Sequence, residues 1–325
     1  MADYDFDAVV VGGGSAGFAA ARTLNAGGAR VAVVEGGKEL GGLCILRGCM
    51  PTKALLHAAE LRQAIREGEA WGITTGAVSV DPVKLMARKD ALIADFAGYR
   101  RRQLEEGPWE LIRGRARFRD PHTLEIGSQR RITARNFVVA TGSTIAPPPP
   151  VPGLAECSYL DSDSALRLDR FPGSLIVLGG GAVALEFAQF FARLGTRVTV
   201  LQRSAQLLRG TDPDVAGELE AALRDEGIEL FTETRLLEVR RDSEGVCVRF
   251  EQGGESRTAS AETVFHALGR RPVTDLQLEA AGVALEASGL IRTNARQQTS
   301  APHIYAAGDC CGPHEIVHVA IQQGE

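Results

Sequence analysis

A strand, a glycine-rich turn, a helix and a second strand occur twice in this chain, and the repeat restricts it to nucleotide-binding α/β folds. The first copy runs through residues 8–11, then Gly12-Gly13-Gly14-Ser15-Ala16-Gly17, an alanine-rich helix to about Gly27, and residues 30–35. Each glycine has its own task. Gly12 permits the turn, Gly14 lets backbone approach a pyrophosphate, and Gly17 lets helix and strand pack closely. The helix N-terminus attracts phosphate, and Glu35, 18 residues past Gly17, can accept bonds from ribose hydroxyls. The second copy follows at an offset of 167 residues, which carries Gly12 onto Gly179, Gly14 onto Gly181 and Gly17 onto Ala184. The same offset puts Gln202 where Glu35 stands, with Arg203 and Arg209 close behind. An acid repels a 2′-phosphate and guanidinium groups bind it, so the second site is expected to take NADPH rather than NADH. The alternative for these two arginines is a solvated loop.

Downstream of the first copy stands Cys44-Ile45-Leu46-Arg47-Gly48-Cys49, then Pro51-Thr52-Lys53. Four intervening residues let two thiols close a small ring. Pro51 is expected as the first residue of a helix built on Ala54, Leu55, Leu56, Ala58, Ala59 and Leu61. Cys49 then sits at a helix N-terminus, where N–H groups and the dipole favour a thiolate. A structural disulfide and half of a zinc site are the alternatives. The acidic start Asp3-Tyr4-Asp5-Phe6-Asp7 is unlike an export signal, and Cys157, Cys247, Cys310, Cys311 and six histidines supply no second pair at zinc spacing. A redox pair is therefore favoured and no metal site is expected. Two dinucleotide sites and a dithiol define an electron path: NADPH in the second site, a flavin in the first, then Cys44 and Cys49.

The 325 residues, 44% hydrophobic, can bury two cores. A net charge of −5 and the absence of a long apolar run make nucleic acid and membranes poor partners. Arg113, Arg115, Arg117 and Arg119 alternate with Gly114, Ala116 and Phe118, the pattern of one strand with a solvated face. Residues 87–104 read as a long helix, and the prolines from Pro147 to Pro152 as an extended crossover. His266 is expected to be a satisfied strand-end histidine. Cys310 and Cys311 read as packing residues rather than a soft-metal trap.

On these motifs the chain resembles the class I pyridine nucleotide-disulfide oxidoreductases: dihydrolipoamide dehydrogenase, glutathione reductase and mercuric reductase. The stretch from Gly41 to Lys53 is similar to the family's redox helix. Ala140-Thr141-Gly142 and Ala306-Ala307-Gly308-Asp309 are similar to its FAD motifs, and Leu268-Gly269-Arg270 to the exit from its NADPH domain. The resemblance implies two Rossmann-like α/β domains, with a discontinuous FAD part of residues 1–146 and 269–325 around an NAD(P)H part of 147–268. It implies that Cys44 attacks substrate, that Cys49 faces the flavin, and that Lys53 lies beside the flavin paired with Glu186. Thr141, Gly142 and Asp309 would serve FAD, the last through the ribityl chain, with Ala116 a backbone contact to adenine. Gly269 would serve the nucleotide, and Pro313 would start a helix facing the ring.

Leu43 replaces the family's usual threonine, and Ala182 a tyrosine that gates the nicotinamide pocket. The family's dimer domain and its His-Glu pair would lie beyond Glu325, so a truncated chain is expected here and a homodimer at full length. The expected activity is transfer from NADPH through FAD to Cys44 and Cys49, then to a small-molecule or protein disulfide or a soft metal, in the cytoplasm. A non-catalytic FAD-binding fragment and an NAD(P)H oxidase are the alternatives.

Overall fold

The computed structural model describes residues 3–128 and 130–325. The chain divides into two compact units. One gathers residues up to Leu46, Ile93–Ile145 and Arg270–Glu325; the other gathers Arg47–Leu92 and Ala146–Gly269. Both are Rossmann-like α/β units, and both are discontinuous in sequence. Residues 47–92 cluster with the second unit, whereas the boundaries at 146 and 268 would leave them in the first. Packing explains the difference: Leu55 and Ala59 of helix Cys49–Glu67 share one core with Phe187, Ala188 and Phe190 of helix Ala182–Arg193.

In the first unit the parallel strands lie in the order Glu110–Arg113, Val31–Glu35, Phe6–Val11, Arg130–Val139 and Ile304–Ala306. The inner ones carry near-continuous Val and Ala because helices and loops cover both faces. Strand Arg130–Val139 serves two sheets. Its last six residues pair in parallel with Phe6–Val11, and its first four pair antiparallel with Thr123–Ile126, which in turn pairs with Ala116–Asp120.

The arginine alternation expected as one strand is therefore two. It breaks at Gly114, whose φ of 144° suits glycine, and a Cβ there would meet Ile126 Cγ2 at 2.7 Å. Beyond the break Phe118 is fully buried, while Arg117 and Arg119 point outward onto the carboxylate of Glu125.

The second unit has a parallel sheet in the order Glu229–Phe231, Arg197–Leu201, Ser174–Leu178 and Thr263–His266. An antiparallel sheet of Arg235–Arg241, Val246–Gln252 and Glu255–Ala261 accompanies it. Helix Ala182–Arg193 has the same length as helix Ser15–Ala26, 12 residues, at the offset read from the glycines. The long helix spans Pro82–Glu105.

The last helix, Val317–Gly324, begins after Ile316, not at Pro313. Its buried face sets its position: Gly324 lies so close to helix Ser15–Ala26 that a Cβ would stand 2.3 Å from Ala16 O. Gln323 then bonds the preceding turn, accepting from Gly308 N at 2.7 Å and donating to Gly312 O at 3.1 Å. Among the described residues no helix is long and apolar enough to cross a membrane.

Candidate active site

The glycines sort into two kinds. A Cβ at Gly12 would stand 2.3 Å from Ala140 O, one at Gly17 1.8 Å from Gly12 O, and one at Gly179 2.5 Å from Ala267 O, so the protein's own backbone forbids side chains there. Gly14 and Gly181 differ. Each precedes a helix with an ordinary negative φ; a Cβ at Gly14 would meet only Gly42 Cα, at 3.8 Å, and one at Gly181 nothing within 4 Å. These are open cradles of N–H groups at helix N-termini, the arrangement a dinucleotide's phosphates fit. Ala184, at the position matching Gly17, is accommodated and buried.

The residues that follow the two second strands are held differently. Glu35 accepts from Gly13 N at 2.8 Å and Gly37 N at 2.6 Å, one bond per carboxylate oxygen, which fixes the group and leaves acceptor capacity on both. Gln202 is buried and its amide is used within its own loop, donating to Gln206 O at 3.2 Å and accepting from Arg203 N at 3.1 Å. Arg203 and Arg209 are exposed, and among the described residues neither guanidinium has an ion-pair partner.

Cys44 lies in the short helix Gly42–Leu46, and Cys49 is the first residue of helix Cys49–Glu67. The helix thus begins two residues before Pro51. Proline costs nothing at this third position, because the first four N–H groups have no helical acceptor. Thr52 Oγ1 fastens the start by donating to Gly48 O at 2.8 Å. One turn on, Lys53 Nζ lies 2.5 Å from Glu186 Oε1, with the lysine side chain 60% exposed and the glutamate 29%. A pair this wet contributes under about 1 kcal/mol to stability. What it does is hold a cation beside Cys49's end of the helix.

Thr141 Oγ1 donates to Val273 O at 2.6 Å, and Gly142 has a φ of 70° with no atom within 4 Å of an added Cβ. Asp309 Oδ2 accepts from Ser143 Oγ at 2.7 Å, and Ser143 Oγ accepts from Arg270 Nε at 2.8 Å. Sequence reasoning missed Ser143 and Arg270 as supports of Asp309. Ser143 directly follows Thr141-Gly142 and Arg270 lies within the motif at Gly269, which was the available signal. Gly269 itself is exposed with a φ of 124°, and Ala116 opens its strand packed against the core.

His266, expected to be satisfied, is buried and only half so: Nε2 lies 2.9 Å from Ala146 O, while among the described residues Nδ1 has no partner. Cys310 Sγ donates to the carbonyls of Val139 (3.3 Å) and Ala307 (3.4 Å), and Cys311 Sγ to that of Gly308 (3.2 Å). The hydrogen bond with Cys310, reinforced by burial, pushes the Cys311 thiol upward and keeps it protonated. Among the described residues no group of three or more His, Cys, Asp or Glu is arranged to hold a metal ion.

A sequence profile described as pyridine nucleotide-disulphide oxidoreductase matches residues 6–324. The mercuric reductase of Staphylococcus aureus is 37% identical over 324 residues, which are 99% of this chain and 59% of that protein. The dihydrolipoyl dehydrogenase of Thermus scotoductus is also 37% identical over 324 residues, 98% of this chain and 69% of that one. Among solved structures, the HOCl-induced flavoprotein disulfide reductase RclA from Escherichia coli superposes with a TM-score of 0.86 at 30% identity, over 98% of this chain and 69% of its own. The chain thus spans about half to seven-tenths of the proteins it matches. With the profile covering nearly every residue, two glycine cradles in register and the Cys44-to-Lys53 segment opening a helix, the chain belongs to the pyridine nucleotide-disulphide oxidoreductase family.

Proposed function

We propose that this chain takes electrons from NADPH, passes them by way of FAD to a disulfide between Cys44 and Cys49, and delivers them to a disulfide or soft-metal acceptor. The observation that carries the reading is the placement of Cys49 at the first position of a helix whose Lys53 is held by Glu186 at 2.5 Å. Gly12, Gly14, Gly17, Glu35, Ala116, Thr141, Gly142 and Asp309 would hold FAD. Gly179, Gly181, Ala184, Arg203, Arg209 and Gly269 would hold NADPH. When bound, FAD would supply the two-electron chemistry that links a hydride donor to a dithiol.

The chain's own residues do the rest. The helix N-terminus and the cation of Lys53 favour the Cys49 thiolate, and Glu186 keeps that cation in place. Cys44, as thiolate, attacks one sulfur of the acceptor; the acceptor's S–S bond breaks, a mixed disulfide forms, and the departing thiolate takes a proton. Cys49 thiolate then attacks the Cys44 sulfur, the mixed disulfide breaks, and the second acceptor thiolate leaves. Two electrons have passed from the protein dithiol to the acceptor. The mercuric reductase and dihydrolipoyl dehydrogenase relatives support a thiol-reactive acceptor. The cytoplasm is the matching compartment, because it keeps such a dithiol reducible. A homodimer is the proposed assembly.

The test is NADPH oxidation by the FAD-loaded protein with 5,5′-dithiobis(2-nitrobenzoate) as acceptor. Cys44→Ser and Cys49→Ser are each expected to slow it at least about a hundredfold with FAD still bound. Undiminished oxidation in Cys44→Ser with oxygen consumed would make the chain an oxidase instead. Bound FAD without NADPH oxidation would make it a binding fragment.

A further inference from the structure

Helix Cys49–Glu67 is tied to helix Ala182–Arg193 at two places. Near one end Lys53 meets Glu186; near the other Arg62 Nη1 donates to the carbonyl of Arg193, in the last turn of the second helix. Between the ties, Leu55 and Ala59 pack in one core with Ala184, Phe187 and Ala188. The nine residues from Lys53 to Arg62 rise about 13.5 Å, and the seven from Glu186 to Arg193 about 10.5 Å. Both ties advance in the same direction along the two chains. The helices therefore run parallel, with Cys49 and the open cradle at Gly181 at the same end.

Parallel packing places like helix ends side by side, which is unfavourable for their dipoles. Arg62 answers this where carbonyls converge, satisfying one that has no helical donor. Its contact is geometrically confined. Gly195, just past the helix, would carry a Cβ 3.6 Å from Arg62 Nη2, and the Arg193 guanidinium is turned away onto Glu226, with contacts of 2.8 and 2.7 Å. An exposed salt bridge at Lys53 could not fix the register of two helices alone, being largely solvated.

We propose that Arg62 is a positioning residue: by binding the last-turn carbonyl of the nucleotide-site helix it holds the dithiol helix in register, so that Cys49 and Lys53 stay at the phosphate-binding end. This rests on the function proposed above. It assigns to Arg62 an effect on electron delivery that acts through the register of the two helices.

The experiment compares FAD-loaded wild type, Arg62→Met and Arg62→Lys. NADP⁺ affinity is measured by calorimetry, and the anaerobic appearance of Cys44 and Cys49 thiols after mixing with NADPH by quenched alkylation and mass spectrometry. Arg62→Met should slow thiol appearance about tenfold with NADP⁺ affinity within about twofold, as expected when a reacting group is slightly misplaced. Arg62→Lys, which restores a cation and a donor, should recover most of the rate. An unchanged rate in Arg62→Met overturns the assignment, and so does a slowing matched by loss of NADP⁺ affinity and not restored by lysine, which would mark general loosening. A wild type that forms no thiols refutes the proposed function itself; one that forms them while Arg62→Met is unaffected refutes only the role of Arg62.

Discussion

Replacing Gly17 and Gly14 one at a time separates what the fold requires from what a ligand requires. At Gly17 an added Cβ would stand 1.8 Å from the carbonyl oxygen of Gly12, with Val10 Cγ1 at 3.2 Å. Helix Ser15–Ala26 would have to lift from the strand by more than about an ångström, in an interior packed as densely as a crystal. Overpacking of this kind costs about 3 kcal/mol, at the upper end of its usual range. For a unit of this size that lowers the melting temperature by about 6–12 °C. At Gly14 the only neighbour of an added Cβ is Gly42 Cα at 3.8 Å, an ordinary contact, and φ is −70°. Gly14→Ala should therefore melt within about 2 °C of wild type as the apoprotein. Its methyl group would occupy the cradle, so FAD affinity, followed by fluorescence titration, should fall at least about tenfold, or 1.4 kcal/mol. A Gly17→Ala protein that melts like wild type, or a Gly14→Ala protein that binds FAD equally well, would refute the reasoning.

Three further outcomes are expected. Arg203→Gln with Arg209→Gln should weaken NADPH binding about tenfold or more and leave NADH binding within about twofold in a direct titration; equal losses would show that the arginines do not read a 2′-phosphate. The Glu125 carboxyl is held below the usual carboxylate range, first by its hydrogen bond from Arg117 and then by that from Arg119. A depressed carboxyl stabilises the fold above its unfolded value and loses that contribution as pH falls through its folded one. The gap in melting temperature between wild type and Glu125→Gln should thus be full at pH 7 and shrink below about pH 4; a gap independent of pH would contradict this. Lys53→Met should lower the alkylation rate of Cys49 in a Cys44→Ser background at neutral pH, because the thiolate loses a nearby cation, and an unchanged rate would remove Lys53 from that role.

Much of this architecture is written in short-range pattern. Turn glycines followed by helices gave both βαβ copies, since the close approaches of Gly12 to Ala140 O and of Gly179 to Ala267 O leave no room for a side chain. The start of the dithiol helix was legible to within two residues, because Cys49 and Pro51 can both occupy a first turn. The arginine alternation was misread as one strand, because period-two patterning is blind to a glycine that redirects the chain between sheets, as Gly114 does. The helix start near Pro313 was displaced to Val317 by packing against Ala16, a contact across some 300 residues that leaves no local signal. Ser143 adjoins one recognised motif and Arg270 lies within another, which mark their positions but not their partners, and Arg62 carries no local signal at all. Each acts through a polar contact with a partner more than 100 residues away, and such pairs have no periodicity.

The central claim is that reducing equivalents from NADPH arrive at Cys44 and Cys49. It is tested most directly by counting thiols. FAD-loaded protein, first oxidised, is mixed anaerobically with one equivalent of NADPH and no acceptor, quenched with an alkylating reagent and mapped by mass spectrometry. The account predicts two newly alkylated residues per chain, Cys44 and Cys49, with Cys157, Cys247, Cys310 and Cys311 unchanged. NADPH consumed with no new thiols at these two positions, or with thiols appearing elsewhere, would contradict it.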